Sequence, residues 1–189
     1  MAPTQDGTAR PHRLRRVIIE PLLPAAGALP GPLLAELTAL YASDPTFQQI
    51  SGDFPDPHDI RSEQVAASLA EELANPNTEV LLARTQGRLV GVVITLARHP
   101  DPADPDPWIG LLMVDARHHR SGYGRQLAGL VEERFRAAGR DGIRLAVLDN
   151  NPKALAFWTA LGYEAIDHRR DRQLGRPCAV LRKPLKPVE

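Results

Sequence analysis

Apolar positions along this chain recur with two different spacings, which divide it into predicted helices and strands. Helical spacing predicts four helices, at 33–41, 60–73, 122–138 and 153–161. Apolar runs of strand length predict seven strands, at 14–20, 79–85, 88–97, 108–114, 143–148, 163–168 and 178–182. This mixture predicts an α/β (α+β) fold with a mixed, mostly antiparallel sheet and helices on its faces.

The segments between these elements have the composition of loops. Residues 21–32 predict a linker, and residues 43–58 predict a long acidic loop with three prolines. Residues 98–107 contain four prolines and three aspartates, which excludes a regular element there. Residues 1–12 predict a disordered tail, so that residues 13–189 form the single expected domain.

The segment between the fourth strand and the third helix has the features of a phosphate-binding turn. Gly122 and Gly124 allow the backbone to approach a ligand closely. The first N–H groups of the following helix have no partner within the helix, and the helix dipole adds about half a positive charge there. Three arginines raise the local potential further: Arg117, Arg120 and Arg125. This arrangement favours an anion such as a phosphate group.

A glycine turn before a helix also occurs in dinucleotide-binding folds, so two interpretations compete. Asp149 ends the next apolar run, where a ribose-binding acid would stand. However, Leu127 occupies the place of the third glycine, and seven residues separate Val114 from Gly122 where a dinucleotide turn is tight. Only forty residues follow Asp149. These differences argue against a dinucleotide-dependent oxidoreductase.

A second block of sequence decides between the general phosphate-binding and the dinucleotide interpretations of the glycine turn. Residues 150–163 read NNPKALAFWTALGY, in which asparagine caps, proline opens and glycine closes a short helix. With the turn at Gly122 and Gly124, this block resembles the GNAT superfamily of N-acetyltransferases. Their signature is a Gly-x-Gly pyrophosphate turn and then an Asn-x-x-Ala-x-x-Phe-Tyr-x-x-x-Gly-Phe/Tyr helix. The resemblance is close over residues 80–166, and the order of segments fits over 14–184.

The resemblance implies a sheet of about seven strands that splays between strands four and five. The thioester arm of the co-substrate acetyl-CoA would lie in that gap, pairing with the backbone of the fourth strand like an added strand. His119 stands where the family usually carries Arg or Gln. The implied cofactor-binding residues are Met113, Val114, His119, Arg120, Ser121, Gly122, Tyr123, Gly124, Arg125, Asn151 and Phe157.

Catalytic residues are harder to assign, because acetyl transfer to an amine needs a base more than an acid. The family's usual acid is the tyrosine of the Phe-Tyr pair, and Trp158 occupies that place; Tyr163 matches the structural aromatic residue after the glycine. The fourth strand has no titratable side chain, so a base must come from the two acidic loops. The candidates there are Asp53, Asp56, His99, Asp101, Asp104 and Asp106. As a group they suggest an electronegative rim suited to a cationic amine.

The function implied is direct acetyl transfer from acetyl-CoA to a primary amine of a small molecule, without a covalent enzyme intermediate. The alternative is a non-catalytic acyl-CoA-binding sensor, which the replacement of tyrosine by Trp158 and the bare fourth strand favour. The residues do not identify the acceptor amine. Paired subunits are common in this superfamily, and a homodimer is the expectation that follows.

Composition agrees with a soluble enzyme. The 189 residues are 43% hydrophobic, and their 23 basic and 23 acidic residues give a formal net charge of zero, so neither nucleic acid nor membrane is an expected partner. No apolar run is long enough for a membrane span, and the first residues lack a signal peptide's apolar segment, so a cytoplasmic location is expected. No metal site is expected, since His118 and His119 are adjacent rather than spaced as ligands. Cys178 predicts a buried structural thiol, and the arginines around 169–176 an exposed basic hairpin.

Overall fold

A computed structural model describes residues 15–23 and 28–185 of the chain; the predicted tail at 1–12 lies outside them. Its seven strands form one sheet in the order β1-β2-β3-β4-β5-β7-β6. The strands are β1 (Ile18–Pro21), β2 (Thr78–Thr85), β3 (Arg88–Leu96), β4 (Trp108–Val114), β5 (Gly142–Leu148), β6 (Glu164–Arg170) and β7 (Pro177–Pro184). Among these described strands, only the β4–β5 pair is parallel. The predicted mixed, mostly antiparallel sheet is confirmed.

The described ranges contain five α-helices, which flank the sheet: α1 (Gly31–Tyr41), α2 (Pro45–Ser51), α3 (Ser62–Ala74), α4 (Tyr123–Ala137) and α5 (Pro152–Ala160). On one face, buried residues of α4 and α5 pack against the sheet around Leu127, Val131 and Trp158. On the other face, residues of α1 and α3 pack around Leu37 and Val65. Each face therefore has its own hydrophobic core, with the sheet between them.

The sheet opens between its two central strands. β4 and β5 pair only at Trp108 with Arg144 and at Ile109 with Leu145, so their carboxyl halves separate. The predicted splay is confirmed. The carboxyl half of β4 therefore has a free edge facing the gap, while its other edge pairs with β3 as far as Val114.

β4 also carries a bulge. Ile94 of β3 faces Leu111, whereas the next residue, Thr95, faces Ile109, so Gly110 is extra in the ladder. A bulge leaves the additional residue unpaired and bends its strand. Gly110 is exposed although its neighbour Ile109 is buried. The bulge therefore turns backbone toward solvent near the middle of β4.

The expectation of an acidic loop over 43–58 was wrong, because this segment contains α2. Asp44 caps the helix by accepting a hydrogen bond from the Phe47 N–H at 3.0 Å, and Pro45 occupies the first turn. Gly52 ends the helix in the left-handed region, with φ of 67°. The signals for both ends were present, but the apolar spacing between them was too weak to indicate a helix. The first strand is also shorter than the predicted 14–20, beginning at Ile18.

Candidate functional site

The turn before α4 has two residues in the left-handed region, Arg120 with φ of 60° and Gly122 with φ of 81°. Such turns orient successive backbone N–H groups toward one concavity that can hold an anion. The first hydrogen bond of the helix runs from the Gln126 N–H to the Gly122 carbonyl. The N–H groups that precede Gln126 in α4 therefore have no partner within the helix. This is the geometry expected of a phosphate cradle.

Side chains around the turn divide into those that face solvent and those that do not. Ser121 and Arg125 are exposed, whereas the Tyr123 ring is buried and meets His118 edge-on at 5.7 Å. Tyr123 can thus offer only its backbone to a ligand. Arg117 forms an ion pair with buried Asp115 at 2.6 Å, and this pair lowers the pKa of the aspartate. Arg117 is therefore less available to a phosphate than the sequence suggested.

The free edge of β4 ends next to this turn. The Val114 carbonyl lies 2.9 Å from Nε2 of His119, so that ring reaches back to the end of the strand. The Met113 side chain is buried in the core on the α1 and α3 face of the sheet, with its sulfur 3.9 Å from the Gln48 amide nitrogen. The Met113 carbonyl points toward β3, since a Cβ atom on Gly91 would lie 2.7 Å from that oxygen, so Val114 is the residue whose carbonyl faces the gap. The predicted cofactor-binding residues of β4 and of the turn thus lie next to one another in the fold.

The α5 block approaches the same place. Phe157 packs directly on Gly124, because a Cβ atom on that glycine would lie 3.3 Å from two ring carbons. Asn151 caps α5 by accepting a hydrogen bond from the Ala154 N–H at 3.1 Å. Its side-chain oxygen is therefore occupied, and its amide NH₂ group is the part left to donate to a ligand.

Trp158, at the expected position of an acid, is buried inside an aromatic stack. Its ring lies 4.9 Å from Phe157 and 5.0 Å from Tyr163, both edge-on. The Tyr163 hydroxyl donates to Glu132 at 3.2 Å, and burial with that nearby carboxylate raises the tyrosine pKa. Neither aromatic residue can release a proton near neutral pH. The Tyr163 pKa is raised, and the Trp158 indole N–H donates a hydrogen bond without ionising.

An open pocket of about 290 Å³ lies beside the bulge of β4, between the end of α3 and the two loops that follow β3 and β6. Its lining residues include Glu72, Thr95, His99, Trp108, Gly110 and Arg172. It has the size of a small-ligand site at the lower end of the usual range. Because Gly110 lies on β4, the pocket and the β4–β5 gap share one strand.

His99 and Trp108 form one wall of this pocket. Their rings stack with a centroid distance of 4.9 Å and an interplanar angle of 27°. The Arg169 guanidinium lies 5.0 Å from the centre of the Trp108 ring. Within the described residues, the buried Nε1 of Trp108 has no hydrogen-bond partner. An unpaired buried donor costs stability.

Glu72 is the acidic residue of the pocket. Burial, and then the charges of Glu71 and Asp53, raise its pKa. The buried hydroxyl of Tyr41 feels the same group, since burial first and then Glu72 and Asp53 raise its pKa. Asp53 is exposed, and its charge contributes to both of these shifts. The charged side chains that line the pocket are thus one acidic residue, Glu72, and one basic residue, Arg172.

The two predicted aspartates of the β3–β4 loop are buried among arginines. Asp104 pairs with Arg144 and with Arg169, the latter at 3.1 Å. Asp106 accepts from Nε of Arg144 at 2.9 Å and of Arg182 at 2.7 Å, and although burial raises its pKa, these guanidinium groups lower it overall. The pairs attach the loop to β5, β6 and β7 at the end where β4 and β5 are joined.

The remaining acidic candidates lie elsewhere. Asp56 is exposed and caps a turn by accepting from the His58 N–H at 2.8 Å. Asp101 likewise accepts from the Ala103 N–H at 2.9 Å. Of these candidates, His99 lines the pocket and Asp104 lies 3.1 Å from its ring, Asp106 is held by arginines, and Asp56 is in a turn of its own.

The arginines around 169–176 are not the uniformly exposed hairpin expected from the sequence. Arg169 covers Trp108, and Arg176 pairs with Asp171 at 2.7 Å while donating to the Ser51 carbonyl at the end of α2. The β6–β7 loop is thereby attached to the α2 segment. Cys178 is buried in β7, and burial raises its thiol pKa.

Sequence reasoning missed Glu72, Trp108 and Arg172 as parts of one site. Glu72 lies in a predicted helix among other acidic residues, and Trp108 reads as the start of a strand. Nothing local marks them, because long-range packing of α3 against β2, beside β3 and β4 in the sheet, brings them together. The β4 bulge had a weak signal, a glycine inside an apolar strand.

Comparison with known proteins gives concordant results. A model of the acetyltransferase (GNAT) family matches residues 37–163. An uncharacterised protein of Mycobacterium leprae is 34% identical over 105 residues, which cover 55% of this chain and only 28% of that protein. The matched part of this chain thus spans about a quarter of that relative's length.

Solved structures show the same fold. An acetyltransferase from Thermus thermophilus superposes with a TM-score of 0.69 at 22% identity, covering 91% of this chain and 99% of that one. The ribosomal-protein-S18-alanine N-acetyltransferase of Escherichia coli gives 0.62 at 16% identity, covering 92% and 97%. In the described ranges, no helix combines the length and apolar character needed to cross a membrane.

Proposed function

Because the chain belongs to the GNAT family of acetyltransferases, we propose that it transfers the acetyl group of acetyl-CoA directly to a primary amine of a small molecule, as one domain over residues 13–189. The observation that carries this proposal is the continuity of three features along β4. The anion-binding turn, the free edge of the strand in the splay and the pocket at Gly110 follow one another. A thioester on one side can thus meet an amine on the other.

The cofactor side of the proposal rests on backbone groups. Residues 121–125 would surround the pyrophosphate, and the N–H groups of 123–125 in the first turn of α4 would donate to it, since the Ser121 N–H already donates to the His118 carbonyl at 3.3 Å. Val114 would pair with an amide of the pantetheine arm across the gap that β5 leaves open, while the adjacent Met113 has its carbonyl toward β3 and would support the strand. His119 would have to release the Val114 carbonyl if that oxygen accepts from the arm. Phe157 would border the arm, Asn151 would donate its amide NH₂, and Arg120 and Arg125 would add positive potential.

The main chemical requirement of acetyl transfer is removal of a proton from the acceptor ammonium. A lysine-like amine with a pKa of about 10.4 costs about 4 to 5 kcal/mol to present neutral at pH 7. The thiol that leaves, if it behaves like cysteine at about 8.5, is within about 2 kcal/mol of leaving as thiolate unaided. A base or a desolvating pocket is therefore essential and a general acid dispensable. The buried Trp158 is compatible with this division, since the indole need not supply a proton.

Backbone groups at the bulge of β4 could stabilise the oxyanion that develops during acetyl transfer. Gly110 is extra in the ladder with β3, so backbone polar groups there are free to meet a ligand. Backbone N–H groups aimed at a developing oxyanion are among the strongest stabilising groups available to an enzyme. Holding amine and thioester side by side adds the effect of proximity.

Glu72 is the group of the pocket that would attract an ammonium head group, and Arg172 lines the same pocket. Burial raises the Glu72 pKa, and the charges of Glu71 and Asp53 raise it further. Asp104 and Asp106, by contrast, are held by arginines, which suits them to positioning the β3–β4 loop. The volume of about 290 Å³ suits a small amine.

The test is release of thiol from acetyl-CoA by the purified protein, against polyamines, aminoglycosides, amino acids and short peptides, with calorimetric binding of acetyl-CoA alongside. We expect the protein to bind acetyl-CoA and to turn it over with at least one small amine of the panel. Turnover with peptides alone would support the acetyltransferase activity but overturn the proposal that the acceptor is a small molecule. Binding without any turnover would favour the acyl-CoA sensor, and failure to bind acetyl-CoA would overturn the cofactor site.

A further inference from the structure

The pocket beside Gly110 has two charged side chains of opposite sign in its lining. Glu72 comes from the last turn of α3, and Arg172 comes from the loop between β6 and β7. In the part of the chain that the structure describes, neither of them forms an ion pair with another residue. Both charges are therefore available to a ligand in the pocket.

Other arginines of the β6–β7 hairpin differ from Arg172 in this respect. Arg169 forms an ion pair with Asp104 at 3.1 Å. Arg176 forms one with Asp171 at 2.7 Å. These pairs attach the hairpin to the rest of the fold, so their guanidinium groups are occupied. Within residues 15–23 and 28–185, Arg172 is the pocket-lining arginine of the hairpin that has no such task.

The backbone around Arg172 is held in place by Asp171. The carboxylate of Asp171 accepts hydrogen bonds from the N–H groups of Gln173 at 3.0 Å and of Leu174 at 2.7 Å. It also accepts one from the Arg176 N–H at 3.0 Å. Arg172 thus projects from a fixed turn, and ordering it on a ligand costs less conformational entropy than ordering a free loop would.

Glu72 occupies a place where a carboxylate is electrostatically unfavourable. The dipole of α3 adds about half a negative charge at the carboxyl end of the helix. The last turn of α3 has no basic residue to balance it. Burial, and then the charges of Glu71 and Asp53, raise the pKa of Glu72. A cation bound beside Glu72 would offset this repulsion, so the potential there favours an ammonium group.

The two charges belong to different sides of the pocket. Burial is the main cause that lowers the pKa of His99, and the charge of Arg172 adds to it. Arg172 is therefore close to the side formed by the stacked rings of His99 and Trp108, whereas Glu72 lies on the α3 side. No ion pair joins Glu72 to Arg172, so a ligand can lie between them. The rest of the lining includes apolar residues such as Ile94.

We propose that the acceptor is a small amino acid, with its ammonium group held by Glu72 and its carboxylate held by Arg172. This inference rests on the proposed acetyl transfer and names the class of its acceptor. A guanidinium group can donate two parallel hydrogen bonds to a carboxylate, which makes it well suited to this task. The pocket volume of about 290 Å³ suits a molecule of this size.

The same charges select against other small amines. Polyamines and aminoglycosides have additional cationic groups, and Arg172 would repel any that lay near it. A simple alkylamine would leave Arg172 without a partner and gain only the contact with Glu72. An amino acid satisfies both charges at once, so it should be the preferred acceptor.

Acetylation removes one of the two charges of the amino acid. The amine nitrogen forms a C–N bond with the thioester carbon, the C–S bond breaks, and its electron pair goes to sulfur. Of the two protons that the ammonium loses, one passes to the thiolate and the other to solvent. The product keeps its carboxylate for Arg172 but has no ammonium for Glu72, so it should bind less tightly than the substrate.

A carboxamide in place of the carboxylate isolates the contribution of Arg172. The common α-amino acids and the straight-chain series from 3-aminopropanoate to 6-aminohexanoate are assayed, and the best acceptor is compared with its own carboxamide. We expect Arg172→Gln to lower kcat/KM about 10- to 100-fold for the amino acid and by less than about threefold for the carboxamide. Arg88→Gln removes an exposed arginine outside the pocket and should leave both values unchanged.

Two further variants test the assignment of the charges. Glu72→Gln should lower kcat/KM for the amino acid and the carboxamide alike, because both have an ammonium group. Arg172→Glu should reverse the preference, favouring the diamine in which a second amine replaces the carboxylate. A ratio of diamine to amino acid activity that Arg172→Glu leaves unchanged would overturn the role of Arg172.

Binding of the N-acetylated amino acid tests the carboxylate contact without turnover. In calorimetry with CoA present, Arg172→Gln should raise its Kd about tenfold, the effect of one charged hydrogen bond, and Glu72→Gln should leave it unchanged. Equal affinities of the native protein and Arg172→Gln would overturn the inference. Carboxamides or peptides that are better acceptors than every amino acid and insensitive to Arg172→Gln would overturn it and leave the acetyltransferase. Absence of turnover with every amine would overturn the acetyltransferase function itself.

Discussion

Phe157 closes over Gly124 so tightly that a single added methyl group on the glycine would meet two ring carbons at 3.3 Å. The contact joins the α5 block to the first turn of α4. Both blocks carry the family resemblance, and they are remote in sequence. The packing explains why a glycine is needed at a position that is otherwise ordinary helix.

Gly124→Ala tests this contact. The methyl group must displace the Phe157 ring toward the proposed path of the pantetheine arm, so we expect acetyl-CoA affinity to fall about tenfold, or about 1.4 kcal/mol. Gly129→Ala is the matched control, because it lies in the same helix with nothing within 4 Å of an added Cβ atom. The control should bind acetyl-CoA normally and gain about 1 kcal/mol of stability. Calorimetry and thermal unfolding measure both effects, and equal affinities would show that the contact does not limit binding.

Asp106→Ala tests the ion pairs that fasten the β3–β4 loop. Removal of the carboxylate takes away an ion-pair partner of Arg144 and of Arg182, whose guanidinium groups are largely buried. We therefore expect the free energy of unfolding to fall by about 2 to 4 kcal/mol. Glu133→Ala removes an exposed ion pair with Arg136 in α4 and should cost less than about 0.5 kcal/mol. Chemical denaturation compares the two. Similar small losses would mean that the loop is held by other contacts.

Trp158→Phe tests whether the indole takes part in the chemistry. The ring packs between Phe157 and Tyr163, so its replacement should cost about 1 to 2 kcal/mol of stability. Because an indole N–H cannot deliver a proton at neutral pH, kcat should fall by less than about tenfold, the scale of one hydrogen bond. The pH profile of the folded variant is the decisive measurement. Loss of its basic limb would give Trp158 an acidic role after all.

Much of the fold could be predicted from local patterns. The bounds of β4 match the prediction, because an unbroken apolar run lies between a proline-rich loop and a polar turn. The hairpin of β2 and β3 was equally plain, with Gln86 and Gly87 both at positive φ in its turn. α2 was missed because seven residues with four polar side chains show little amphipathic spacing.

The candidate site could be predicted only in part. The cofactor side depends on backbone conformation before α4, which glycine spacing reveals directly. The acceptor side depends on side chains from α3, two loops and β4, and no local pattern records that Glu72 and His99 share a pocket. Arginine pairing of Asp104 and Asp106 is likewise a tertiary property, so the sequence could not separate anchoring carboxylates from free ones.

Acid should loosen the β6–β7 loop through Asp171. Although burial opposes it, hydrogen bonds from the Leu174 backbone and from Arg176 lower the Asp171 pKa to about 2. A carboxylate with a depressed folded pKa stabilises fully above its unfolded value of about 3.9 and loses that contribution as pH falls toward 2. Asp171→Asn should therefore be less stable at pH 7 and show a weaker decline in melting temperature from pH 4 to pH 2. Exposed Asp167→Asn should keep the native decline; the same decline in both variants would contradict the assignment.

The most direct test of the account is the fate of the acetyl carbon. Protein, acetyl-CoA labelled with ¹³C at the carbonyl and the best amine of the panel are mixed, and the carbonyl signal is followed by NMR. The account predicts that the thioester signal is replaced by an amide signal on the amine, with one free thiol for each amide. A thioester signal that persists with bound protein, or one that converts only to acetate, would contradict it.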